Sequence, residues 1–432
     1  MVGFASITPS LQRPAAPAET AMPIERPKLR NLEPIPTQVE GRQMIALRDP
    51  YHFAEQTVLV PEEVFFILTL FDGQHTVLDI QAEYMRRFGD LLFSDRVRQI
   101  IEQMDEACLL ESERFESRKK RVEVEFRAAR IRKSSHAGAA YEDDPAKLSA
   151  QLDGFFAPPD GPGKPSPQVG AKPVKGLVAP HIDLLRGGPC YAWAYHALGQ
   201  ACNAEVFVIL GTVHIPTRQL FTATRKTFET PLGLMHTDRR FVDALARSYG
   251  ERLFEDEFAH KIEHTIEFQV VFLQHLLGPS AIRTPIVPIL CSSFLEQAKG
   301  KGGPLALPEV KGFVAALKDT ITSSGKRVCL IASADLAHVG PRFGDQQRLS
   351  PGVLSLVESE DREMLKHVER VDADAFFQAV AKEDDPRRIC GLPPMYVLLS
   401  AIAATEGKLL RYAQAADLDG LSCVTFAATS FV

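Results

Sequence analysis

The sequence predicts an α/β protein, a sheet with flanking helices, preceded by a small winged-helix-like α+β unit. Three observations carry this reading. The apolar runs in GLVAPH, EVFVILGTVH and RVCLIASADLAH have the composition of buried strands and are separated by helical stretches. Upstream of them, two short apolar runs precede three amphipathic segments that carry helix-capping residues. The 432 residues also exceed what one ordinary core of about 150 residues requires, so more than one folding unit is expected.

Residues 1–37 are rich in proline, alanine and polar side chains without apolar periodicity, and read as a disordered tail. Between Gln43 and Val60 the runs MIAL and TVLV flank a turn favoured by Asp49 and Pro50, the pattern of a β-hairpin. Pro61 opens a helix with Val64, Phe65, Leu68 and Phe71 on one side, and Asp72-Gly73 closes it. Thr76 and Asp79 form a capping box for the next helix, which Gly89 ends. Ser94 caps a third, with Val97, Ile100, Ile101 and Met104 at helical spacing. This hairpin-plus-three-helix unit is placed at residues 38–117. Residues 118–133, dense in arginine and lysine with alternating Val122, Val124 and Phe126, read as a solvated basic connector. An α/β unit then fills 134–432.

The runs FDGQHTVLDIQAEYMRRFG and EQMDEACLLES give the first unit its pattern, which resembles the PqqD-like, or RiPP-recognition, domain. That resemblance implies capture of a peptide, which adds a strand to the open edge of the small sheet and packs on the third helix. A generic winged-helix-like module for docking or dimerisation fits the same pattern.

In the second unit, Asp144-Pro145 starts a helix through Leu148, Leu152 and Phe155, followed by a polar Pro/Gly/Ser loop. Gly176 to His214 reads as a βαβ module in which both strands finish in a histidine, His181 and His214. Carboxyl ends of parallel strands line the ligand crevice, and neighbouring strands lie about 4.8 Å apart, so the two imidazoles are expected to converge as metal ligands. A third strand delivers Ser333, Asp335 and His338 in the same way, and Thr284 to Leu290 is a further strand. In HKIEHTIEFQVVFLQHLLG, His264 and Glu267 share a helical face, a spacing that suits holding a tautomer or moving a proton. Cys390 precedes a long apolar helix, whose N-terminus is expected to lower its thiol pKa and favour the metal-binding thiolate. Two imidazoles and a thiolate suit copper, ferrous iron or zinc, whereas magnesium and calcium prefer oxygen shells.

Composition excludes several classes. Lys+Arg 49 against Asp+Glu 55 leaves a net charge of -6, so nucleic acid is not an expected partner. No stretch reaches the roughly 18 apolar residues of a membrane span, and no signal peptide opens the chain, so it is expected to be cytoplasmic. The seven cysteines form no CxxC pair, which argues against a disulfide framework or a zinc ribbon.

From about His136 to Val432 the order AGAAYEDDPAKLSAQLDGFF, APHIDLLRGG, LGTVH, ETPLG, EHTIEFQVVFLQ, SADLAHVGPRFG and CGLPP resembles the Memo family, called AmmeMemoRadiSam system protein B in bacteria. Where many members carry His-Ala-Gly-Tyr, this chain has His181-Ile182-Asp183-Leu184, which brings Asp183 and Arg186 to the mouth. The resemblance implies a fold similar to the class III extradiol dioxygenases, redox chemistry with iron or copper, and metal ligands at His181, His214 and Cys390. His264, Asp335 and His338 match other pocket positions, where an imidazole would transfer protons and Asp335 would orient one. Radical-SAM and AMMECR-type proteins are the implied partners, and the first unit could deliver a peptide to them. The residues alone leave two rivals open: a non-catalytic metal-binding or peptide-docking scaffold, and a zinc-dependent hydrolase.

Overall fold

The computed structural model describes residues 24–39, 41–54 and 56–432 together with a two-residue strand at Ala5–Ser6. The chain divides into two compact units, one ending at Ala128 and the other starting at Ala129.

In the first unit, strands β1 (Ala5–Ser6), β2 (Glu33–Val39), β3 (Arg42–Arg48) and β4 (Val58–Pro61) form a sheet of order β1-β4-β3-β2. Helices α1 (Glu62–Thr69), α2 (Val77–Phe88) and α3 (Ser94–Glu106) follow. The capping box of Thr76 and Asp79 forms, and Gly89 ends α2 with φ of 70°. Val60, Ile80, Val97 and Met104 meet in the core.

Two expectations change here. The segment taken as tail includes β2, whose side chains are almost all exposed, so no apolar alternation announces it; its Pro34 and Pro36 are tolerated because it is an edge strand. Arg30, in the same segment, is buried against Asp49 at 2.9 Å with its guanidinium 3.9 Å from the centre of the Phe115 ring. The basic connector is largely helical, although Lys120, Arg121, Arg127 and Arg130 are exposed as expected. Residues Glu113–Ala128 form helix α4, which buries Phe115, Val122 and Phe126 and leaves Val124 in solvent. The apparent alternation was the near side of a helical period seen over too few residues.

In the second unit, β5 (Ile131–Arg132) leads to α5 (Pro145–Phe156), β6 (Gly176–Ala179), α6 (Leu184–Gln200) and β7 (Val206–Thr212). Short strands β8 (Phe221–Ala223), β9 (Thr227–Thr230) and β10 (Gly233–Met235) precede α7 (Arg239–Tyr249), α8 (Thr265–Leu277) and β11 (Ile286–Cys291). The chain continues through α9 (Leu295–Ala298), α10 (Pro308–Ser324), β12 (Val328–Ser333) and β13 (Asp335–Val339). It ends with α11 (Pro351–Glu369), α12 (Ala373–Ala381), α13 (Leu392–Ala401), β14 (Gly407–Ala416) and β15 (Cys423–Phe431). The main sheet has the order β13-β15-β6-β12-β7-β11-β8, with β14 beside β15.

Strands β6, β12, β7 and β11 run parallel, which aligns their carboxyl ends on one edge. Along β7 the period of two divides the core cleanly: Val206, Val208 and Leu210 pack with α7, α10 and α13, while Phe207 and Ile209 pack with α5, α6 and α8. Burial on both faces explains why these strands read as continuous apolar runs. Among the described residues, no helix is long and apolar enough to cross a membrane.

Candidate metal centre

The strands that end in His181 and His214 are not neighbours, because β12 lies between them and pairs with both. The imidazoles nevertheless meet, since each residue lies just past its strand, on the loops beyond Ala179 and Thr212. Their ring centres are 5.1 Å apart and nearly perpendicular. One donor atom each from His181, His214 and Cys390 lie within 4.8 Å of one another.

Each imidazole is oriented from behind. His181 is buried, and its Nδ1 lies 3.0 Å from the backbone carbonyl of Ser333. A carbonyl can only accept, so Nδ1 carries the proton and Nε2 presents a lone pair. That Nε2 is 3.2 Å from the Cys390 sulfur. Burial, with His214 and His264 nearby, holds His181 well below the ordinary imidazole value, so it stays neutral and able to donate to a cation.

His214 Nδ1 is 3.1 Å from Glu263 Oε1, and the backbone N–H of His214 donates to Glu263 Oε2 at 2.9 Å. The same Oε1 lies 3.1 Å from His264 Nδ1 and accepts from the His264 N–H at 2.9 Å. One buried carboxylate thus holds two imidazoles, stacked 5.0 Å apart at 15°. Burial alone would push Glu263 up, but His214 and His264 keep it well below the carboxylate range. In return Glu263 outweighs the partial desolvation of His214, whose ring stays partly exposed, and raises it, while burial still lowers His264. His214, Glu263 and His264 form a second close donor group on their own.

Glu263 was not legible as a site residue, and Glu267 was expected in its place. The difference is tertiary: His264 is the N-cap of α8 and has helical backbone angles, yet Glu267 three residues on turns to other partners. Glu267 instead faces Arg132 and the Tyr141 hydroxyl in a fully buried ion pair. The only local signal for Glu263 was a carboxylate directly before the histidine.

Asp335 opens β13 and is buried, with Oδ1 accepting the His181 N–H at 2.9 Å and Oδ2 3.6 Å from His181 Nε2. Burial pushes its carboxyl up to about 7, against the opposing N–H groups of His181 and Ile182. His338, on the same strand, turns Nδ1 to the Leu336 carbonyl at 3.1 Å and packs edge-on to Phe343. It joins neither donor group. His264 and Asp335 are therefore beside the convergent donors, and His338 is not among them.

Cys390 arrives from the loop before α13. Its neighbour Gly391 donates its N–H to the Asp335 carbonyl at 3.0 Å, and a Cβ on Gly391 would fall 2.4 Å from that oxygen and 2.6 Å from Ala334 Cβ. Only glycine permits this approach. Gly391→Ala is expected to displace the Cys390 loop and destabilise the protein by about 1–3 kcal/mol, with weaker metal retention, checked by thermal unfolding and metal analysis. The low thiol pKa expected from the helix N-terminus is not found. Burial pushes the Cys390 thiol well above its ordinary value and the Asp335 carboxylate adds to this.

The donor set fits a metal ion on its own chemistry. Two imidazoles present Nε2 with Nδ1 already committed, a sulfur lies beside them, and His214 is exposed to solvent. A cation among these atoms would draw the proton from the thiol that burial otherwise retains. Glu263→Gln removes the charge behind two imidazoles and is expected to lower metal affinity about 10–100-fold, measured by competition with a chelator.

Such a site, imidazole and sulfur donors gathered at the carboxyl edge of a mixed sheet between two helical layers, defines a class of α/β proteins with a dioxygenase-like fold and a candidate mononuclear centre. The chain belongs to the Memo-like protein family, whose model matches residues 132–430. It is similar to a MEMO1 family protein of Aquifex aeolicus, 27% identical over 390 residues, covering 90% of this chain and 94% of that protein. A MEMO1 family protein of Methanopyrus kandleri is 29% identical over 289 residues, 66% of this chain and 92% of its own. One from Thermus thermophilus is 27% identical over 350 residues, 81% and 97% respectively. The Aquifex match is longer than the second unit, so it extends into the first.

Proposed function

We propose that the protein is a metal-dependent oxidoreductase using iron or copper, held by His181, His214 and Cys390. The single observation that supports this is the convergence of three donors within 4.8 Å, two of them imidazoles whose other nitrogens are already committed. Bound iron or copper would supply one-electron redox chemistry that no side chain here provides. The chain's own residues then have separable tasks. Glu263 holds the His214 and His264 rings in one orientation, and Ser333 fixes the His181 tautomer. Asp335, with its carboxyl raised to about 7, can hold a proton at Oδ2 beside His181 near neutral pH. His264, stacked on His214, is the imidazole placed to accept or return a proton at the site. Radical-SAM and AMMECR-type proteins are the proposed partners, with the first unit presenting a peptide.

The test is anaerobic purification followed by elemental analysis and an oxygen-electrode assay. Stoichiometric iron or copper and oxygen uptake that disappears in His181→Ala is the expected result. Stoichiometric zinc without uptake would replace this reading with a hydrolytic or non-catalytic one.

A further inference from the structure

We propose that Arg387, anchored on the buried carboxylate of Asp361, is the positioning residue for the Cys390 sulfur, so that the sulfur donor is held by a network separate from the one that holds the imidazoles. This rests on the reading of Cys390 as a metal ligand and names what fixes it in place. Cys390 has no regular element of its own. It lies between α12 and α13, two residues after Arg388, whose backbone is left-handed with φ of 54°. Arginine adopts that conformation only where surrounding contacts impose it.

Main-chain contacts come first. The Arg387 carbonyl accepts the His338 N–H at 2.6 Å, and the Gly391 N–H donates to the Asp335 carbonyl at 3.0 Å. These two bonds lay residues 387–391 antiparallel to β13, with Cys390 between them. Side chains then hold the stretch at two points. Arg388 donates to the His338 carbonyl at 3.1 Å and to Asp345 Oδ1 at 2.6 Å. That ion pair is half-exposed, and such pairs contribute little. Arg387 donates Nη1 to Asp361 Oδ1 and holds Nε 3.3 Å from Glu360, with its side chain only 11% exposed.

Asp361 is what makes Arg387 the stronger anchor. It is fully buried on α11, and its Oδ2 accepts from the Tyr412 hydroxyl on β14 at 3.0 Å and the Thr425 hydroxyl on β15 at 2.5 Å. An interior carboxylate is tolerated when it is paired and hydrogen-bonded, so Asp361 is fixed by three partners and in turn fixes Arg387. Ser333 and Glu263 orient the imidazoles, and neither belongs to this group. The sulfur, 3.2 Å from His181 Nε2, can therefore be released while the imidazoles stay in place.

The experiment uses the full chain and three variants: Arg387→Met, Arg387→Met with Asp361→Asn, which leaves no buried charge unpaired, and Arg387→Lys. In the metal-free protein, iodoacetamide labelling of Cys390 is followed by mass spectrometry, with Cys202 as reference. In the cobalt(II)-loaded protein, the sulfur-to-cobalt charge-transfer absorption is recorded beside the visible bands. The first two variants should label Cys390 about tenfold faster than the wild type. They should also bind cobalt(II) about tenfold more weakly, with the charge-transfer absorption reduced, and Arg387→Lys should recover most of each property. Unchanged labelling and absorption in the double variant would overturn the proposal. Equal loss in Arg387→Lys together with a lowered thermal melt would mark a merely structural pair and overturn it too. Faster labelling in the variants, with no sulfur-to-cobalt absorption in the wild type, would keep Arg387 as the positioning residue and remove Cys390 from the metal.

Discussion

Purified without oxygen, the Cys390→Ser variant is expected to keep its fold and to lose at least about 100-fold in affinity for iron, copper or zinc. Serine preserves the shape of the side chain but replaces a polarisable sulfur by a hard, weakly acidic hydroxyl. The sulfur lies 3.2 Å from His181 Nε2 and 3.8 Å from the Asp335 carbonyl, so its removal changes the donor set and little of the packing. Metal content after dialysis against a competing chelator, read beside a thermal melt, checks this. Cys202→Ser is the control, because that half-buried thiol belongs to no donor group among the described residues. Unchanged metal content in Cys390→Ser would return Cys390 to the packing residues.

Arg132→Ala is expected to destabilise the second unit by about 3–5 kcal/mol, because it leaves Glu267 charged and unpaired in the interior. Arg132 also donates to the carbonyls of His260 and Glu263, each at 2.8 Å, and to the Ser135 hydroxyl at 2.8 Å. It thereby ties β5 to the stretch that carries Glu263 and His264. Replacing both partners, as Arg132→Met with Glu267→Leu, should cost less than the single change, although the carbonyls lose their donor. Chemical unfolding monitored by circular dichroism checks both.

The pH dependence has a definite sign. Burial would raise Glu267, but Arg132 and its hydrogen-bond donors hold it well below its ordinary value of 4.5. The unfolded chain therefore binds this proton first as pH falls. The stabilisation from the ionised carboxylate is complete above about pH 4.5 and declines progressively below it, toward the depressed folded-state value. The stability gap between the wild type and Glu267→Gln should accordingly be largest at neutral pH and shrink in acid.

The contrast between Glu263 and Glu267 shows why part of the site was legible and part was not. His181 and His214 follow apolar strands and Cys390 precedes an apolar helix, and such element ends advertise themselves through hydrophobicity. Which carboxylate orients the imidazoles depends on partners brought from far along the chain: Arg132 and Tyr141 take Glu267, and His214 takes Glu263. Arg132 illustrates the same limit. In a run of basic residues it looks solvated, yet five hydrogen-bonding partners around it make its burial tolerable. Strand β2 escaped notice for the opposite reason, since an exposed edge strand needs no apolar face.

Taken by itself, the chain's pattern of apolar runs, caps and terminal histidines pointed to the α/β class, to the strands that carry His181 and His214, and to Cys390 as a candidate sulfur donor. Period and capping are local properties that each segment carries with it. Only the tertiary structure decided that β12 separates the two histidine strands, that Glu263 and not Glu267 stands behind His214 and His264, and that burial keeps the Cys390 thiol protonated despite the helix that follows. These depend on which groups are desolvated together, and desolvation is set by neighbours brought from far along the chain.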